Sequence, residues 1–459
     1  LVLLPFAAWA HPFASKDIAT VDSPRVIYEE HQPDGWVNVI TILVGPLLTA
    51  DLEAQSDMRI TQGDWSILKG VQLCVDETNQ LAFFLANFHH PTEQNLCVTT
   101  YGDQPKFGAL TPSGLSVRAE RSDVHPLVNT SLGMCALWMS SLYNTPVCNL
   151  YRIRHLIPGQ LPKLQLLAAL QLNEPHVYRA PGNTTHRLVD VPLNRTNQSV
   201  SALVLLPTGR QGPFPVLHYV YGGPEVQIVK NLWSTWVQFA KWTEQGFAVV
   251  LADVTGSSNR GLTFEKLIRG QLVTDPLSQW RCISIIVPDM LQGAFEVDDQ
   301  VEVLKKVAAH CPDLDMTRVA IHGWSYGGFM TLHAMARHAE LYRAGIAGGA
   351  VTDWTLYDTC YTERYMGYPV DSATYAQAGI PRLVSQLPDE PGRLLLVHGL
   401  LDENVHFKHV TTLIEALIRA GKPYELQLFP SERHGIRATE AAEHLDATML
   451  AFLKRSLST

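Results

Sequence analysis

The chain has 459 residues, 46% of them hydrophobic, so it can bury large cores, and its length suggests two or three domains. Its formal net charge of -9 provides no basic surface for phosphates, which argues against nucleic acid as a partner. Seven cysteines, an odd number without paired spacings, do not predict a disulfide framework, and a reducing, cytoplasmic location is the simpler expectation.

The N-terminal run Leu3–Ala10 imitates the apolar core of a signal peptide, but neither an initiator Met nor a basic stretch precedes it. We interpret it as a strand of a cut or mis-started chain, with a secreted form as the alternative. Only a secreted form would use the sequons at Asn129, Asn183, Asn194 and Asn197. No apolar run approaches the ~20 residues of a membrane-spanning helix, so we expect no membrane association.

Residues 1–165 show short apolar runs separated by turn-forming residues, which predicts an all-β region. The clearest runs are Trp36–Ile40, Leu81–Leu85, Leu96–Thr99 and Leu150–Ile153. Periodicity alone does not distinguish a β-sandwich from the blades of a β-propeller. At about 40 to 50 residues per blade, the region has room for about three or four blades.

Residues 166–459 alternate apolar strands with helices, which is typical of a mostly parallel sheet flanked by helices. The predicted strands are Val216–Val220, Ala248–Ala252, Val319–Ile321, Ala344–Ala347, Leu394–Val397 and Glu425–Phe429. The predicted helices are Val297–Ala309, Phe329–Ala336, His409–Ala420 and Glu440–Leu457.

A Gly-x-Ser-x-Gly motif places Ser325 between the third predicted strand and the helix that follows it. This is how α/β-hydrolases present a nucleophile. Glycine at positions 323 and 327 allows a tight turn, and the N-terminal end of the helix favours negative charge on an oxygen nearby. The motif alone also occurs by chance in loops, but its strand and helix predict Ser325 as a nucleophile.

A serine nucleophile needs a base, and the base needs a carboxylate that orients it; in α/β-hydrolases both follow the serine, the Asp before the His. Asp402 follows the fifth predicted strand and is the predicted acid, with Glu403 as its competitor. His434 follows the last predicted strand and is the predicted base. His406 is its nearest rival but precedes that strand. All three candidates follow strands, where open α/β sheets bind their ligands.

These motifs resemble the dipeptidyl peptidases of the prolyl oligopeptidase family, above all its dipeptidyl peptidase 8/9 branch. The matching stretches are Tyr219–Pro224, Gly323–Gly328, Tyr357–Met366, His398–Phe407, Ile418–Tyr424 and Glu432–His434. Leu1–Pro5 and Val26–Glu30 show a weaker match to strands of the family's propeller. The resemblance implies an α/β-hydrolase domain over residues 166–459, preceded by an incomplete β-propeller over residues 1–165 that holds only its C-terminal blades.

The resemblance also implies roles for residues outside the triad. Tyr221, through its phenol hydroxyl, and Tyr326, through its backbone N–H, would stabilise the oxyanion of the tetrahedral intermediate. Asn404 would hold the substrate carbonyl before the scissile residue. A pocket for proline, whose ring suits flat aromatic walls, would be lined by Val351, Trp354, Tyr357, Tyr361, Tyr326 and Val405. Without the family context, a plain aromatic core is the alternative. Arg364, beside Glu363, is expected to form a structural ion pair.

Three features depart from the family pattern. The glutamate pair that binds the amino terminus of a substrate, and an arginine near it, would lie upstream of Leu1; Glu29 and Glu30 match a different strand and are not assigned this role. Residues 272–290 interrupt a stretch that is continuous in the family, and are interpreted as an unspliced intron or an unusual surface loop. Thr255 precedes Gly-Ser where the family has an arginine.

The sequence thus predicts a serine-type dipeptidyl aminopeptidase that releases N-terminal dipeptides after Pro or Ala, using Ser325, His434 and Asp402. Peptides are the expected substrates, and the family implies a possible homodimer. No metal or organic cofactor is expected, because no metal-binding motif occurs. The alternatives are an acyl-peptide hydrolase, oligopeptidase or esterase of the same clan, which the missing glutamate pair would allow, and a truncated, inactive interaction protein.

Overall fold

A computed structural model of the chain describes residues 25–31, 37–44, 54–68, 73–101, 104–118, 127–154, 160–170, 184–265, 267, 295–366, 375–376 and 378–458. The chain divides into two compact units. Unit 1 comprises Leu1–Ala180 with Lys230–Trp236 and Asn259–Phe264, and unit 2 comprises Pro181–Val229, Val237–Ser258 and Glu265–Thr459. The signal-like run Leu3–Ala10 and the interrupting segment 272–290 lie outside the described residues.

The described residues of 25–170 form three antiparallel sheets, which confirms the all-β prediction for this region. The strands are β1 (Arg25–His31), β2 (Val37–Val44), β3 (Ala54–Arg59), β4 (Cys74–Asp76), β5 (Leu81–Ala86), β6 (Asn95–Thr100), β7 (Phe107–Ala109), β8 (Ser116–Val117), β9 (Leu127–Asn129), β10 (Met134–Ser140), β11 (Val147–Arg154) and β12 (Lys163–Leu170). The sheet orders are β1-β2-β3, β4-β5-β6-β7 and β12-β11-β10-β8, with β9 paired to β10.

The sheet of β4 to β7 is covered by apolar side chains on both faces. Successive side chains of β5 point to opposite faces, and all six residues of the strand are buried. Phe83 packs in one apolar cluster with Leu137 of β10. Phe84 packs in a second cluster and stacks on Trp65, with ring centroids 5.8 Å apart. A four-stranded antiparallel meander with layers on both faces is typical of a propeller-like segment.

Two short segments of unit 1 come from late in the sequence, between strands that belong to unit 2. In the first, the Asn231 N–H donates to the Thr92 carbonyl at 2.7 Å, and its side-chain oxygen accepts from the Leu142 N–H at 3.0 Å. The Trp236 indole N–H donates to the Leu142 carbonyl at 3.0 Å. In the second, the Asn259 carbonyl oxygen accepts a hydrogen bond from the Asn87 side chain. These late segments therefore complete the hydrogen bonding of unit 1.

Unit 2 is built on an eight-stranded sheet in the order β13-β14-β16-β15-β17-β18-β19-β20. Its strands are β13 (Thr184–Pro192), β14 (Ser199–Pro207), β15 (Phe214–Tyr219), β16 (Ala248–Ala252), β17 (Leu314–Trp324), β18 (Tyr342–Gly348), β19 (Leu394–Gly399) and β20 (Glu425–Phe429). β14 runs antiparallel to both of its neighbours, and the six strands β15 to β20 are mutually parallel. The prediction of a mostly parallel sheet is confirmed.

All four helices predicted for residues 166–459 are present. The helices are α1 (Trp233–Val237), α2 (Ala240–Glu244), α3 (Leu262–Glu265), α4 (Phe295–Ala309), α5 (Tyr326–Arg337), α6 (Thr359–Met366), α7 (Lys408–Ala420) and α8 (Thr439–Leu457). Short 3₁₀ turns cover Trp354–Leu356, Ile380–Arg382 and Val384–Gln386. No helix in the part of the chain that the structure describes is long and apolar enough to cross a membrane.

The structure divides the chain later than the boundary predicted after residue 165. That boundary would cut β12, which pairs with β11 from Cys148↔Leu170 to Arg154↔Lys163. The strand therefore belongs to the β-sheet of unit 1, and the division falls between Ala180 and Pro181.

The buried position of Phe83 gives a test of the core of unit 1. Phe83 is 1% exposed, so Phe83→Ala should lower the free energy of unfolding of this unit by about 3–5 kcal/mol through lost burial and a cavity. Hydrogen exchange of the β5 and β6 amides under increasing denaturant measures the loss. Leu132→Ala is the control, because Leu132 is 70% exposed, and it should change the value by less than about 0.5 kcal/mol. Equal effects of both changes would contradict the described packing.

Candidate active site

Ser325 occupies the turn between β17 and α5, where its sequence motif predicts it. Its φ of 60° and ψ of -116° are unusual for a residue with a side chain, and this strain is typical of a nucleophile elbow. The Ser325 N–H donates to the Gly348 carbonyl at 2.8 Å, which fixes the turn to the end of β18. The serine is only partly buried.

The glycines of the motif are required by close backbone approach. A Cβ added to Gly323 would collide with the carbonyl oxygens of Gly327 and Val220, and a Cβ on Gly327 would collide with the same Val220 oxygen. The first turn of α5 therefore lies against the end of β15. This contact brings the serine turn beside Tyr221, the second residue after β15.

Asp402 and His434 are joined by a hydrogen bond, although they lie in loops that follow different strands. The Nδ1–H of His434 donates to Asp402 Oδ2 at 2.8 Å. Asp402 Oδ1 accepts from the backbone N–H groups of Asn404 at 3.0 Å and Val405 at 2.8 Å. A carboxylate can only accept, so the proton of a neutral imidazole is on Nδ1 and its Nε2 is a free base.

The histidine loop is also tied to the serine turn and to the acid loop. The indole N–H of Trp324, the residue before Ser325, donates to the His434 carbonyl at 2.6 Å. The Leu401 N–H donates to the Glu432 carbonyl at 3.0 Å. These hydrogen bonds tie the loop of His434 to the turn of Ser325 and to the loop of Asp402.

The electrostatic setting keeps Asp402 ionised. Burial of its side chain raises its pKa, but the hydrogen bond and charge of His434 and the two backbone N–H groups outweigh that effect, so the pKa lies below its usual value. The rival acid Glu403 is exposed and pairs with Arg433 at 3.2 Å. The rival base His406 is also exposed. The geometry therefore favours Asp402 and His434 over both competitors.

His398 is a second histidine on Asp402 that sequence reasoning did not identify. Its Nε2 lies 2.9 Å from the Val405 carbonyl oxygen and 3.5 Å from Asp402 Oδ2. The ring is fully buried at the end of β19, and burial lowers its pKa, so it is neutral at physiological pH. The sequence did contain a signal for this role: His398 is a polar residue near the end of an apolar strand, four positions before Asp402.

Tyr221 lies at the serine hydroxyl. Burial raises the pKa of its phenol to about 12, with further increases from Tyr357 and Tyr219, and a hydrogen bond to the Ser325 side chain acts in the opposite direction. The phenol is therefore protonated at neutral pH and able to donate. Its ring also packs against Tyr326, with centroids 6.1 Å apart.

Tyr326 is held by a buried carboxyl group, Glu296 of α4, which sequence reasoning did not identify. The Tyr326 hydroxyl donates to Glu296 Oε1 at 3.0 Å, and both side chains are almost fully buried. Burial raises the pKa of Glu296 to about 7; the bond from Tyr326 and the charge of Arg195 lower it, and Asp299 raises it. Glu296 therefore titrates near neutral pH beside the residue that follows the candidate nucleophile.

The predicted pocket residues include one connected group of aromatic rings. Trp354 stacks on Tyr361 with centroids 6.0 Å apart and an interplanar angle of 13°, and contacts Tyr357 and Tyr326 at 5.9 and 5.8 Å. The Tyr357 hydroxyl donates to Asn404 Oδ1 at 2.8 Å, which links this group to the acid loop. Val351 and Val405 are 2% and 0% exposed.

Two arginines have partners that the sequence did not reveal. The expected structural ion pair of Arg364 is formed with Glu225, at 3.0 Å. Thr255 occupies the position where the family has an arginine. The guanidinium of Arg195, from the β13–β14 turn, contacts it. It donates to Thr255 Oγ1 at 2.9 Å and pairs with Asp299 at 3.0 Å.

Among the described residues, no group of three or more His, Cys, Asp or Glu side chains could hold a metal ion. The arrangement consists instead of a serine hydroxyl, an imidazole with a free Nε2, a buried carboxylate and a phenol donor. Such a set can carry out acyl transfer through a covalent serine intermediate.

Residues 289–459 match the model of the prolyl oligopeptidase family. The chain is 34% identical over 415 residues to mouse "Dipeptidyl peptidase 8" and 33% identical to the human protein of that name, with 88% of this chain covered in each case. It is 27% identical over 462 residues to a "Probable dipeptidyl peptidase 4" of Aspergillus fumigatus, with 92% of this chain covered. The chain spans 43%, 42% and 54% of the lengths of these three relatives.

The buried Glu296 predicts a pH-dependent stability. Its pKa is raised from 4.5 to about 7, so its protonated form stabilises the fold below pH 4.5, and this contribution is lost as the pH rises through about 7. Glu296→Gln keeps an acceptor for Tyr326 and cannot ionise. The free energy of unfolding of Glu296→Gln minus that of wild type should therefore be about 3 kcal/mol larger at pH 8 than at pH 4.5.

Chemical denaturation of wild type and Glu296→Gln between pH 4.5 and 8 measures this difference. Glu443→Gln, at an exposed position of α8, is the matched control and should follow the wild-type curve throughout. Parallel curves for wild type and Glu296→Gln would show that Glu296 does not titrate in this range.

Proposed function

The chain belongs to the prolyl oligopeptidase family, and from that premise we propose that it is a serine-type dipeptidyl peptidase that releases dipeptides from the amino termini of peptides after Pro or Ala. Two observations carry the proposal together: the 2.8 Å hydrogen bond between His434 Nδ1 and the buried Asp402, and the strained strand-to-helix turn of Ser325, whose neighbour Trp324 donates to the His434 carbonyl. The relatives that support it are named as dipeptidyl peptidases.

In the proposed mechanism, Ser325 Oγ attacks the carbonyl carbon of the scissile peptide bond while His434 Nε2 takes the hydroxyl proton. The resulting imidazolium is stabilised by Asp402, whose lowered pKa keeps it ionised. The imidazolium then protonates the leaving amine, and the acyl group stays on Ser325. A water molecule, deprotonated by His434, hydrolyses the acyl-enzyme and regenerates the serine.

Two donors are proposed for the oxyanion that forms on the carbonyl oxygen. The Tyr221 phenol, protonated because burial raises its pKa, supplies one donor beside Ser325. The backbone N–H of Tyr326, in the first turn of α5, supplies the second donor. The positive N-terminal end of the helix dipole further stabilises the negative charge of the oxyanion.

The aromatic group is proposed as the pocket for the residue before the scissile bond. Tyr357, Tyr361, Trp354 and Tyr326 offer flat apolar faces for a pyrrolidine ring or a methyl group, with Val351 and Val405 completing the walls. Asn404 is proposed to hold the substrate carbonyl before that residue, through its side-chain amide, whose oxygen already accepts from Tyr357.

The remaining expectations accompany this proposal. The antiparallel sheets of unit 1 are proposed to be C-terminal blades of a β-propeller, supported by the four-stranded meander of β4 to β7. A cytoplasmic location is supported by the odd cysteine count, and a homodimer by the resemblance to the family.

Ser325→Ala should abolish activity on a Gly-Pro reporter, because the nucleophile is removed; losses of a triad serine reach about 10⁴-fold or more. Release of the chromophore from Gly-Pro and acetyl-amino-acid reporters, together with fluorophosphonate labelling, measures the effect. The control is Ser385→Ala, an exposed serine in the 3₁₀ turn Val384–Gln386, which should keep both labelling and turnover.

The substrate panel separates the alternatives. Labelling with turnover of acetylated or ester reporters alone would indicate an acyl-peptide hydrolase or esterase of the same clan. A folded protein that is neither labelled nor active would indicate an interaction protein. Equal labelling of wild type and Ser325→Ala would rule out Ser325 as the nucleophile.

Tyr221→Phe tests the proposed oxyanion donor. Loss of one such donor should lower kcat by about 10²- to 10³-fold with a much smaller effect on KM, because the bond strengthens in the transition state. Steady-state kinetics on Gly-Pro reporters gives both constants. Tyr143→Phe, at a surface position of unit 1 that is 67% exposed, is the matched control and should leave both unchanged. A rise in KM at constant kcat in Tyr221→Phe would assign the phenol to ground-state binding instead.

A further inference from the structure

Glu225 lies four residues after Tyr221 and receives two donors from the helix α6. Its Oε1 accepts from an Arg364 guanidinium N–H at 3.0 Å and from the Tyr365 hydroxyl at 2.8 Å. The Arg364 and Glu225 side chains are 18% and 33% exposed, so the ion pair is partly shielded from water. Charge-assisted bonds of this kind are stronger than neutral ones. We name the three side chains the Glu225 clamp.

The loop on one side of the clamp is tightly constrained. Gly222 has a φ of 72° and Glu225 a φ of 65°, and the second value is costly for a residue with a side chain. A Cβ added to Gly223 would lie 2.8 Å from the Tyr326 ring and 2.9 Å from the Tyr221 ring. The loop therefore folds closely over the two tyrosines proposed to form the oxyanion site, and its conformation needs an external restraint.

The other side of the clamp belongs to the aromatic pocket. Tyr365 lies one helical turn after Tyr361 in α6, and the two ring centroids are 4.8 Å apart. Tyr361 in turn stacks on Trp354. The clamp thus joins the loop that carries Tyr221 to the helix that carries the pocket wall.

Both donors of the clamp keep their protons at physiological pH. Burial raises the pKa of Tyr365, and Glu225 raises it further, so the phenol keeps its proton and donates. Partial burial lowers the pKa of Arg364, but the hydrogen bond with Tyr365 and the charge of Glu225 outweigh this effect and raise it, so the guanidinium stays charged. Both donors therefore persist together on one carboxylate oxygen.

We propose that Glu225 is a positioning residue, which through its bonds to Arg364 and Tyr365 holds the Tyr221 hydroxyl in place beside Ser325. Its effect on catalysis is exerted through the loop that carries Tyr221. This inference rests on the proposed serine peptidase function and adds a determinant of its rate. Small displacements of a catalytic donor are enough to lower kcat strongly.

Glu225→Ala should lower kcat for a Gly-Pro reporter by about 10- to 100-fold, with KM changed by less than about twofold. Glu225→Gln keeps an oxygen acceptor without the charge and should restore most of the lost rate. The matched control is Glu363→Ala, which removes the neighbouring carboxylate of α6 and leaves the clamp intact; it should change kcat by less than about twofold.

A double-mutant cycle with Tyr221→Phe decides whether Glu225 acts through the phenol. Glu225→Ala should cost little in the Tyr221→Phe background, because the hydroxyl that it positions is already gone. An equal loss of kcat in both backgrounds would overturn the positioning role and leave a general structural effect.

Amide hydrogen exchange of residues 221–229 and of α6 tests the clamp without any need for activity. Glu225→Ala and Tyr365→Phe should each speed exchange in these segments, while exchange in β16 stays unchanged. Unchanged exchange in residues 221–229 would overturn the clamp whatever the activity. If these variants exchange faster but the wild type shows neither labelling nor turnover, the Glu225 clamp would be supported. That result would overturn the proposed function and, with it, the catalytic part of this inference.

Discussion

The hydrogen bond between Asp402 and His434 is the interaction on which the candidate site depends. It joins loops that follow adjacent parallel strands, β19 and β20, and its acceptor is 1% exposed. A buried carboxylate without partners would be strongly destabilising, so the two N–H groups of Asn404 and Val405 are as necessary as the imidazole. The Trp324 indole then extends this order to the serine turn. One buried charge thus organises three separate loops.

Tyr326 shows how much a single position next to the nucleophile has to satisfy. Its phenol donates to the buried Glu296, its ring contacts both Tyr221 and Trp354, and its backbone begins α5. Because these contacts come from three segments of unit 2, a change in any of them is felt at the candidate oxyanion site. Aromatic rings fill this region in place of water. The resulting burial of Glu296 disfavours its ionised form and raises its pKa.

The elements of unit 2 were predictable because their signals are local. β16 and β20 have the bounds that their apolar runs predict, and the Gly-x-Ser-x-Gly spacing places Ser325 on its turn. Pairings across the sheet were not predictable in the same way. Arg364 has an acidic neighbour in sequence, yet its partner is Glu225, 139 residues away, because the strand order decides which loops meet. The hydrogen bonds of Glu296 and His398 depend on the burial of these side chains. A Glu or His in a sequence is usually exposed, so the sequence does not reveal this burial.

The interleaving of the two units has a consequence for biosynthesis. The chain leaves the first unit after Ala180 but returns to it at Lys230–Trp236 and Asn259–Phe264, and the first of these segments supplies hydrogen-bond partners to buried backbone groups of Thr92 and Leu142. On a ribosome, the β-rich unit cannot reach its final state until the segment Asn259–Phe264 has emerged. The loops that contain Thr92 and Leu142 therefore gain these partners only after part of the next unit has been synthesised, and neither unit corresponds to one uninterrupted stretch of the chain.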